Sequence, residues 1–578
     1  MDTRKLFLNL ILTHGNKVTD VEESIKELQK YENDNNLNKF KETLSKLSQK
    51  EPGLALDTFG LIRGCRFEDG CHRQQTVRDN DVEKTNASKP AATTAPHPKP
   101  AYRPDSLADL IDIIRNATQK GQPIKAVGTN HSLEWTDIEQ THGIRIDMSQ
   151  LNDVSHINRE VLKTEFQGQF DDRMLCSFEA GATIKRVQEY LWPVEFRETR
   201  HPEQYRVLPK QTGCTNLSLS DTIANGGHEN GFTKSIIAEM VLSICLLTVN
   251  KIGEVVHKHI EPTNGITNPA AFEKKFKERV LIQNDNTFHA ALNNIGGLGF
   301  AYSYTLRAEN AYYLTEYRYM VTWEEAQKEI PMLYNRNINE RERKPGSLHS
   351  FELFISPYPM LHGGPVDVIV CTLEYSSGLP EGSRPRWYII PHEWIRLGFV
   401  RACDTYPDII PLLMNNIMRC TITQEPVTMN APKALDPLSG LKESGQVTVS
   451  ECAIETQTPA DVIKKIQSLI DRYQIIRKEN KHQLATSPFV VRFSVSSGVY
   501  MPMQYNRLSM VIISNMLVGT PNAENTLQQF RNLTQNEFNG LLHLSMVQDA
   551  DVNSLRQMYP TNENAYKGHV ATFKRVIQ

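Results

Sequence analysis

Ile124-Lys-Ala-Val-Gly-Thr-Asn-His-Ser132 is the stretch on which the reading of the fold turns. Its first four residues, mostly apolar, predict a short strand that stops at Gly128. Glycine tolerates positive φ and lets other groups approach the backbone closely. Thr129, Asn130, His131 and Ser132 follow, all small or rich in hydrogen-bonding groups. Consecutive N–H groups in such a turn make a nest for an anion, most often a phosphate. Taken alone, the stretch also fits an ordinary strand-to-loop turn. Before it, Leu107, Leu110, Ile111, Ile114 and Ala117 share one helical face, capped by Asp105 or Ser106 and closed at Lys120-Gly121. After it, Gly143-Ile-Arg-Ile-Asp-Met148 predicts another strand.

Helix and strand signals continue to alternate from 102 to about 310. Cys176 to Gly181 predicts a strand, Thr183 to Leu191 a helix, and Val241 to Val249 a buried strand. Between them, Val207-Leu-Pro-Lys-Gln-Thr-Gly213 leads into Leu219-Ser-Asp-Thr-Ile-Ala-Asn-Gly-Gly-His-Glu-Asn-Gly231. That segment reads as a surface loop, or as backbone able to lie against a large planar ligand. Phe288 to Gly299 ends in Gly296-Gly-Leu-Gly299, but a helix precedes these glycines and a strand, Phe300 to Leu306, follows. A Rossmann fingerprint needs the opposite order.

These motifs, in this order, resemble the FAD-binding domain of the vanillyl-alcohol oxidase superfamily. Within it, the aldonolactone and alditol oxidases are the most similar group. The resemblance implies an α+β architecture: a two-subdomain PCMH-type FAD-binding domain plus a substrate (cap) domain built on an antiparallel sheet. It implies that FAD is held by Gly128, Thr129, Asn130, His131 and Ser132. The second contacting segment would supply Gly213, Thr222, Ile223, Asn225, Gly226, Gly227, His228 and Gly231. In many relatives the His at position 131 is bonded covalently to the flavin, although Asn130 here replaces the family's second Gly. Glu229 likewise replaces the Gly after the second-segment His, and the family's leading glycines fall near Ser220 and Asp221. A small residue before His228, here Gly227, is associated in the family with access of dioxygen to the flavin.

The flanks follow from composition. The chain has 578 residues, 39% hydrophobic and 23% charged, with a formal net charge of −3, so no basic field points to nucleic acid. Nine scattered cysteines without CxxC spacing suggest reduced thiols and a cytoplasmic location. No run of 18 apolar residues suggests a membrane span. The first residues, with two basic side chains and an apolar run broken by Asn9, read as a helix and not a signal peptide. Residues 1–80 are expected to form a helical N-terminal extension, either a hairpin on the main body or an arm for a protein partner. Residues 81–101 form a Pro/Ala/Thr-rich linker. The FAD-binding domain then spans 102–310, the cap domain 311–505, and a C-terminal segment returning to the flavin 506–578.

In the cap, Tyr312 to Trp323, Leu348 to Ile355, Val366 to Tyr375 and Val447 to Ile454 predict strands. Glu324 to Tyr334 and Pro459 to Tyr473 predict helices, the second capped by Thr458. A flavin oxidase needs charge or donors near the reduced flavin and a group to accept the substrate's hydroxyl proton. Relatives often place a Glu-x-Arg pair on a cap strand. Here Arg492 matches the Arg, but Val490 stands at the Glu position and Met546 at a position where relatives carry Lys. Arg492, His228 and His543 are therefore the candidate catalytic residues. No zinc spacing, Walker loop or GxSxG elbow is present. Two functions remain open. One is oxidation of an alcohol or lactone CH–OH carbon with dioxygen as acceptor. The other is a catalytically degenerate flavin-binding interaction module.

Overall fold

The computed structural model describes residues 101–127, 143–155, 157–168, 174–199, 201–228, 230–231, 236–294, 296–340, 342–359, 364–379, 400, 403, 410–422, 425–436, 447–480 and 483–543. The expected N-terminal extension, the linker up to residue 100, the loop 128–132 and everything from Leu544 onward lie outside these residues.

Strand β1 (Ala101–Tyr102) leads to helix α1 (Leu107–Gln119), followed by β2 (Ile124–Val127) and β3 (Ile144–Asp147). The strands form a small parallel sheet in the order β1-β3-β2. Of the two proposed caps, Ser106 is the one used: its hydroxyl accepts from the Asp109 amide. Leu110, Ile114 and Ala117 are buried, as their spacing predicts. β2 ends at Val127, so the residues leaving it enter the loop proposed to bind phosphate.

The second subdomain starts with β4 (Val154–Ser155), β5 (Leu175–Glu179) and helix α2 (Ile184–Leu191). Next come β6 (Arg206–Val207), the short helix α3 (Leu219–Ala224), β7 (Val241–Val249), β8 (Val255–Glu261) and β9 (Arg279–Gln283). Helix α4 (Asp285–Leu292), β10 (Phe300–Arg307) and β11 (Glu309–Asn310) complete it. Its sheet runs β4-β5-β10-β7-β8-β9, and β6 pairs with β11. Leu110, Phe178, Val187, Ile244, Leu246 and Tyr304 belong to one core shared with the first subdomain. The segment expected to be a loop from 219 onward contains α3, capped by Ser218, whose hydroxyl accepts from the Asp221 amide.

Gly299 stands at the junction of α4 and β10 with φ +138°, and a Cβ there would lie 2.4 Å from the Leu247 carbonyl oxygen. Gly299→Ala is expected to cost about 2 kcal/mol or more, because backbone strain and overpacking act together. Chemical unfolding curves of the two proteins measure it; coincident midpoints would refute the assignment.

The cap sheet is antiparallel. It uses β12 (Tyr313–Thr322), β13 (Leu348–Pro359), β14 (Val366–Ser376), β15 (Val427–Asn430), β16 (Val447–Glu455), β17 (Phe489–Ser494), β18 (Ser509–Leu517) and β19 (Leu541–Leu542). Their order is β15-β12-β14-β13-β17-β18-β16-β19. Helices α5 (Trp323–Asn339), α6 (Ile410–Cys420), α7 (Pro459–Glu479) and α8 (Ala523–Phe538) accompany it. Alternation decides the faces. Phe351, Leu353, Ile355, Cys452, Ile454, Val491, Phe493, Met510 and Ile512 enter a core with Ala326, Ile330, Ile466, Tyr473 and Phe530 of the helices. Their neighbours Glu352, Phe354, Glu451, Ala453, Val490, Arg492, Val511 and Ile513 therefore point to the opposite face. The apolar members of that face cluster with Met501, Met503 and Leu541.

Candidate functional site

The second proposed flavin segment packs against this opposite face. Gly231 donates to the Phe493 carbonyl and bridges Ser494, while the Asn230 amide donates to the Phe351 carbonyl and accepts from the Phe493 N–H. His228 Nε2 meets Glu451 Oε1 at 3.0 Å, both side chains being nearly fully buried. The His543 ring lies beside His228, with centroids 5.6 Å apart, and hydrogen-bonds the Gly226 backbone. The His543 N–H also donates to the Glu451 carbonyl. Three elements distant in sequence thus meet: the loop after α3, strand β16 and the end of β19.

Charge follows from this packing. Burial works to raise the Glu451 pKa, but His228, His543 and Arg492 outweigh it and hold the carboxyl at about 2. Burial pushes the His543 imidazole down to about 4, against the pull of Glu451. At neutral pH the triad therefore contains a carboxylate and a neutral His543. His228, Glu451 and His543 place potential ligand atoms within 4.8 Å of one another, alone in this respect among the described residues. Their hydrogen bonds to each other and to Gly226 account for the grouping without an ion.

Arg492 is the other centre. Its Nε donates to Glu352 Oε2 at 2.9 Å. The register of β13 and β17 explains the pair: Leu353 faces Val491, so Glu352 faces Arg492. Cys371 lies opposite both Glu352 and Arg318, which extends the row to β12. The Arg318 guanidinium sits 4.5 Å from the Phe354 ring centroid, a cation–π contact. On the same face of β12, burial pushes Glu316 up to about 7, with Arg318 opposing and Glu352 reinforcing the shift. Carboxyls shifted in this way are frequent in functional clefts.

Behind Gly231, buried Lys210 donates to the Gly231 carbonyl. His349 is fully buried against Tyr312 and Tyr375. Burial, with the charges of Lys210 and Arg343, lowers its imidazole to about 3.

The remaining expected contacts sort by side chain. Ile223 is fully buried in the FAD-domain core, and the Thr222 hydroxyl bonds back to the Ser218 carbonyl, so neither side chain is free for a ligand. The Asn225 amide bonds Asp221 within α3's own turn. Gly213 is buried. Gly226 has φ +71°, and Gly227 lies where a Cβ would stand 2.5 Å from Thr222 Cγ2. The packing against Thr222 gives glycine at 227 a structural reason of its own. Gly128, Thr129, Asn130, His131, Ser132 and Met546 fall outside the described residues. Sequence reasoning missed Glu451, Glu352, Glu316, Arg318 and Lys210. Alternation along the strands signals which face each occupies, but not which strand it neighbours.

The surface suits a polar planar group such as a flavin. His228 Nδ1, both amide atoms of Asn293 and both of Gln504 are buried without a hydrogen-bond partner among the described residues. Native proteins leave few such groups, each costing about 1–3 kcal/mol. Asn293 adjoins Gly226: a Cβ on that glycine would lie 3.3 Å from its Nδ2 and 3.1 Å from Pro502 Cβ.

Comparison with known proteins agrees with this geometry. Residues 98–257 match the family described as FAD binding domain. An L-gulono-1,4-lactone dehydrogenase of Mycobacterium tuberculosis is 22% identical over 427 residues, which cover 73% of this chain and 81% of that protein. An L-gulonolactone oxidase of Mus musculus is 22% identical over 238 residues, 41% of this chain and 43% of its own length. A solved solvent-stable cholesterol oxidase superposes with a TM-score of 0.58 over 82% of this chain and 92% of its own, at 13% identity. The cholesterol oxidase of B. sterolicum gives 0.56 at 14% identity, over 82% and 91%. The fold thus has solved counterparts, and among the described residues no helix is long and apolar enough to cross a membrane. The motifs, the matched domain and the shared fold converge on one conclusion: the chain carries a PCMH-type FAD-binding domain, and FAD is its cofactor.

Proposed function

We propose that the protein is an oxidoreductase that removes hydride from a CH–OH carbon of a sugar lactone, alditol or related alcohol, with dioxygen as acceptor. The observation that carries this reading is the Arg492–Glu352 pair on the cap face that meets the second flavin segment. Val490 leaves strand β17 without the family's carboxylate, and Glu352, on the adjacent strand, supplies one at the same Arg. This favours retained catalysis over a degenerate interaction module.

Bound FAD would accept the hydride. Arg492 contributes a fixed positive charge, oriented by Glu352, for the oxyanion character that grows as the hydroxyl proton leaves. His228, polarised by the Glu451 carboxylate, is the group proposed to accept that proton; the carboxylate stabilises the resulting imidazolium. His543 positions His228 by packing on it and fixing Gly226. Gly128, Thr129, Asn130 and Ser132 are assigned to the pyrophosphate, and His131 to a covalent flavin link.

Acid precipitation of the purified protein tests the cofactor assignment. A yellow pellet is expected, and His131→Ala should release the colour to the supernatant. Colour that leaves the unsubstituted protein with acid removes the covalent link but keeps the FAD assignment. A colourless protein that takes up no added FAD removes the whole reading. Anaerobic mixing with aldonolactones and alditols then tests the activity. Bleaching of the flavin by one of them, followed by reoxidation in air, supports the oxidase. A flavin that no alcohol or lactone reduces supports the interaction module.

A further inference from the structure

We propose that the carboxamides of Asn293 and Gln504 are flavin-holding groups, with Asn293 pairing to the uracil-like edge of the isoalloxazine ring. The inference rests on the FAD assignment above. Both residues are 0% exposed, and neither Asn293 Nδ2 and Oδ1 nor Gln504 Nε2 and Oε1 has a hydrogen-bond partner among the described residues. A carboxamide carries two donor hydrogens and an acceptor oxygen, so each residue leaves an unmatched donor–acceptor pair in a place that water does not reach. The neighbouring asparagine shows what a structural role looks like here. Asn294 Nδ2 donates to the Ala291 carbonyl and its Oδ1 accepts from the Gly296 N–H, which closes the turn after α4. Asn293, one residue earlier, contributes nothing to that turn through its side chain.

Position points to the same ligand. Asn293 Nδ2 abuts Gly226, in the segment assigned to FAD, and Pro502 Cβ lies close to the same position. Gln504 belongs to the turn that holds Pro502: Tyr505 N–H donates to the Pro502 carbonyl, and Ser497 N–H to the Gln504 carbonyl. The Asn293 amide and the turn that carries Gln504 therefore come from two separate elements and meet at one backbone position. The pyrimidine part of a flavin presents carbonyl, N–H and carbonyl in a row, the complement of a carboxamide in donor–acceptor order. A purely apolar ligand would leave the amides unmatched, and a ligand with only acceptors would match half of each.

The test uses the full chain with His131→Ala, so that no covalent link hides the binding equilibrium. Its apoprotein is titrated with FAD and with 3-methyl-FAD, in which the ring N–H is blocked, and its melting temperature is recorded without cofactor. FAD is expected to bind about 10–100-fold more tightly than 3-methyl-FAD. Adding Asn293→Leu should weaken FAD binding by a similar factor, abolish the preference over the methylated form, and raise the melting temperature of the apoprotein. Gln504→Met should likewise weaken FAD binding and raise the apoprotein melting temperature. Opposite signs for cofactor affinity and apoprotein stability are the signature of groups kept unpaired for a ligand. Equal binding of the two flavins by the Asn293 protein overturns the pairing without any further substitution. So does an Asn293→Leu protein that binds FAD within threefold of its parent. A chain that binds neither flavin overturns the FAD assignment itself, a result distinguishable from both.

Discussion

Arg492→Met is expected to slow flavin reduction by the alcohol substrate about 10²–10³-fold, the usual loss when one preorganised group opposing developing charge is removed. The same change leaves Glu352 as a partly buried carboxylate without its guanidinium, which costs about 1–3 kcal/mol of stability. The two effects separate in the companion variants. Glu352→Gln keeps Arg492 with a neutral hydrogen-bond acceptor and should recover most of the stability while losing part of the rate. Arg492→Lys keeps charge but not the fork, and its compact ammonium should restore the rate only in part. Single-turnover reduction under anaerobic conditions reads the rate, and unfolding by urea reads the stability. An Arg492→Met protein that is reduced at the unsubstituted rate would exclude Arg492 from the chemistry and return attention to Glu316 and Arg318.

Acid should unfold the protein well before its carboxylates are exhausted. His349 and His543 are fully buried, with imidazoles lowered from 6.5 to about 3 and about 4. Each stays neutral in the native state while its unfolded counterpart takes up a proton below 6.5, so each loses stability as pH falls. Glu316 acts in the opposite sense. Its folded pKa is raised from 4.5 to about 7, so the native carboxyl is protonated across the window in which the unfolded one is ionised. Between pH 6.5 and 4.5 the unfolded chain thus binds one proton more than the native chain, two histidines against one glutamate. Linkage converts one proton over two pH units into about 3 kcal/mol of lost stability. His257, also lowered by burial, adds in the same direction. Below 4.5, Glu451, depressed to about 2, extends the loss. Unfolding free energies measured from pH 7.5 to 4.5 check this. His349→Leu should flatten the slope, and Glu316→Gln should steepen it. A pH-independent stability would contradict the burial of all three groups.

Much of the flavin-binding half is legible in the sequence, because its signals are local. Val241 to Val249 is a strand over the residues that its continuous apolar run predicts, and α1, α2, β2 and β10 fall within a residue or two of expectation. α3 was hidden by its polarity, although Ser218-Leu-Ser-Asp221 is a cap signal of the kind that starts helices. β13 runs on to Pro359, past the Ile355 expected to end it, since Pro357 and Pro359 lie beyond the regular pairing and are tolerated there. The chemistry of the site is far less legible. Arg492 and Glu352 are 140 residues apart, and only the register of β13 on β17 makes them partners. Glu451 meets His228 because β16 and the loop after α3 arrive at the same face, and no local pattern encodes that meeting. Side-chain alternation tells which residues can face a ligand; topology tells which of them meet.

Asn230 has a consequence for how the protein is made. It belongs to the flavin-binding half, yet its amide is held between the carbonyl of Phe351 and the N–H of Phe493, the latter 263 residues later. At ~5–20 residues per second, a ribosome needs roughly ten to fifty seconds to add that length. During this interval the loop carrying His228 through Gly231 lacks its backing strand, and Glu451 has not yet been synthesised for most of it. The flavin-binding half therefore emerges with its cofactor segment unbraced, and the cap strands complete it from outside. Cofactor capture is therefore expected to follow synthesis of the cap strands, so that the supply of FAD acts on a nearly complete protein.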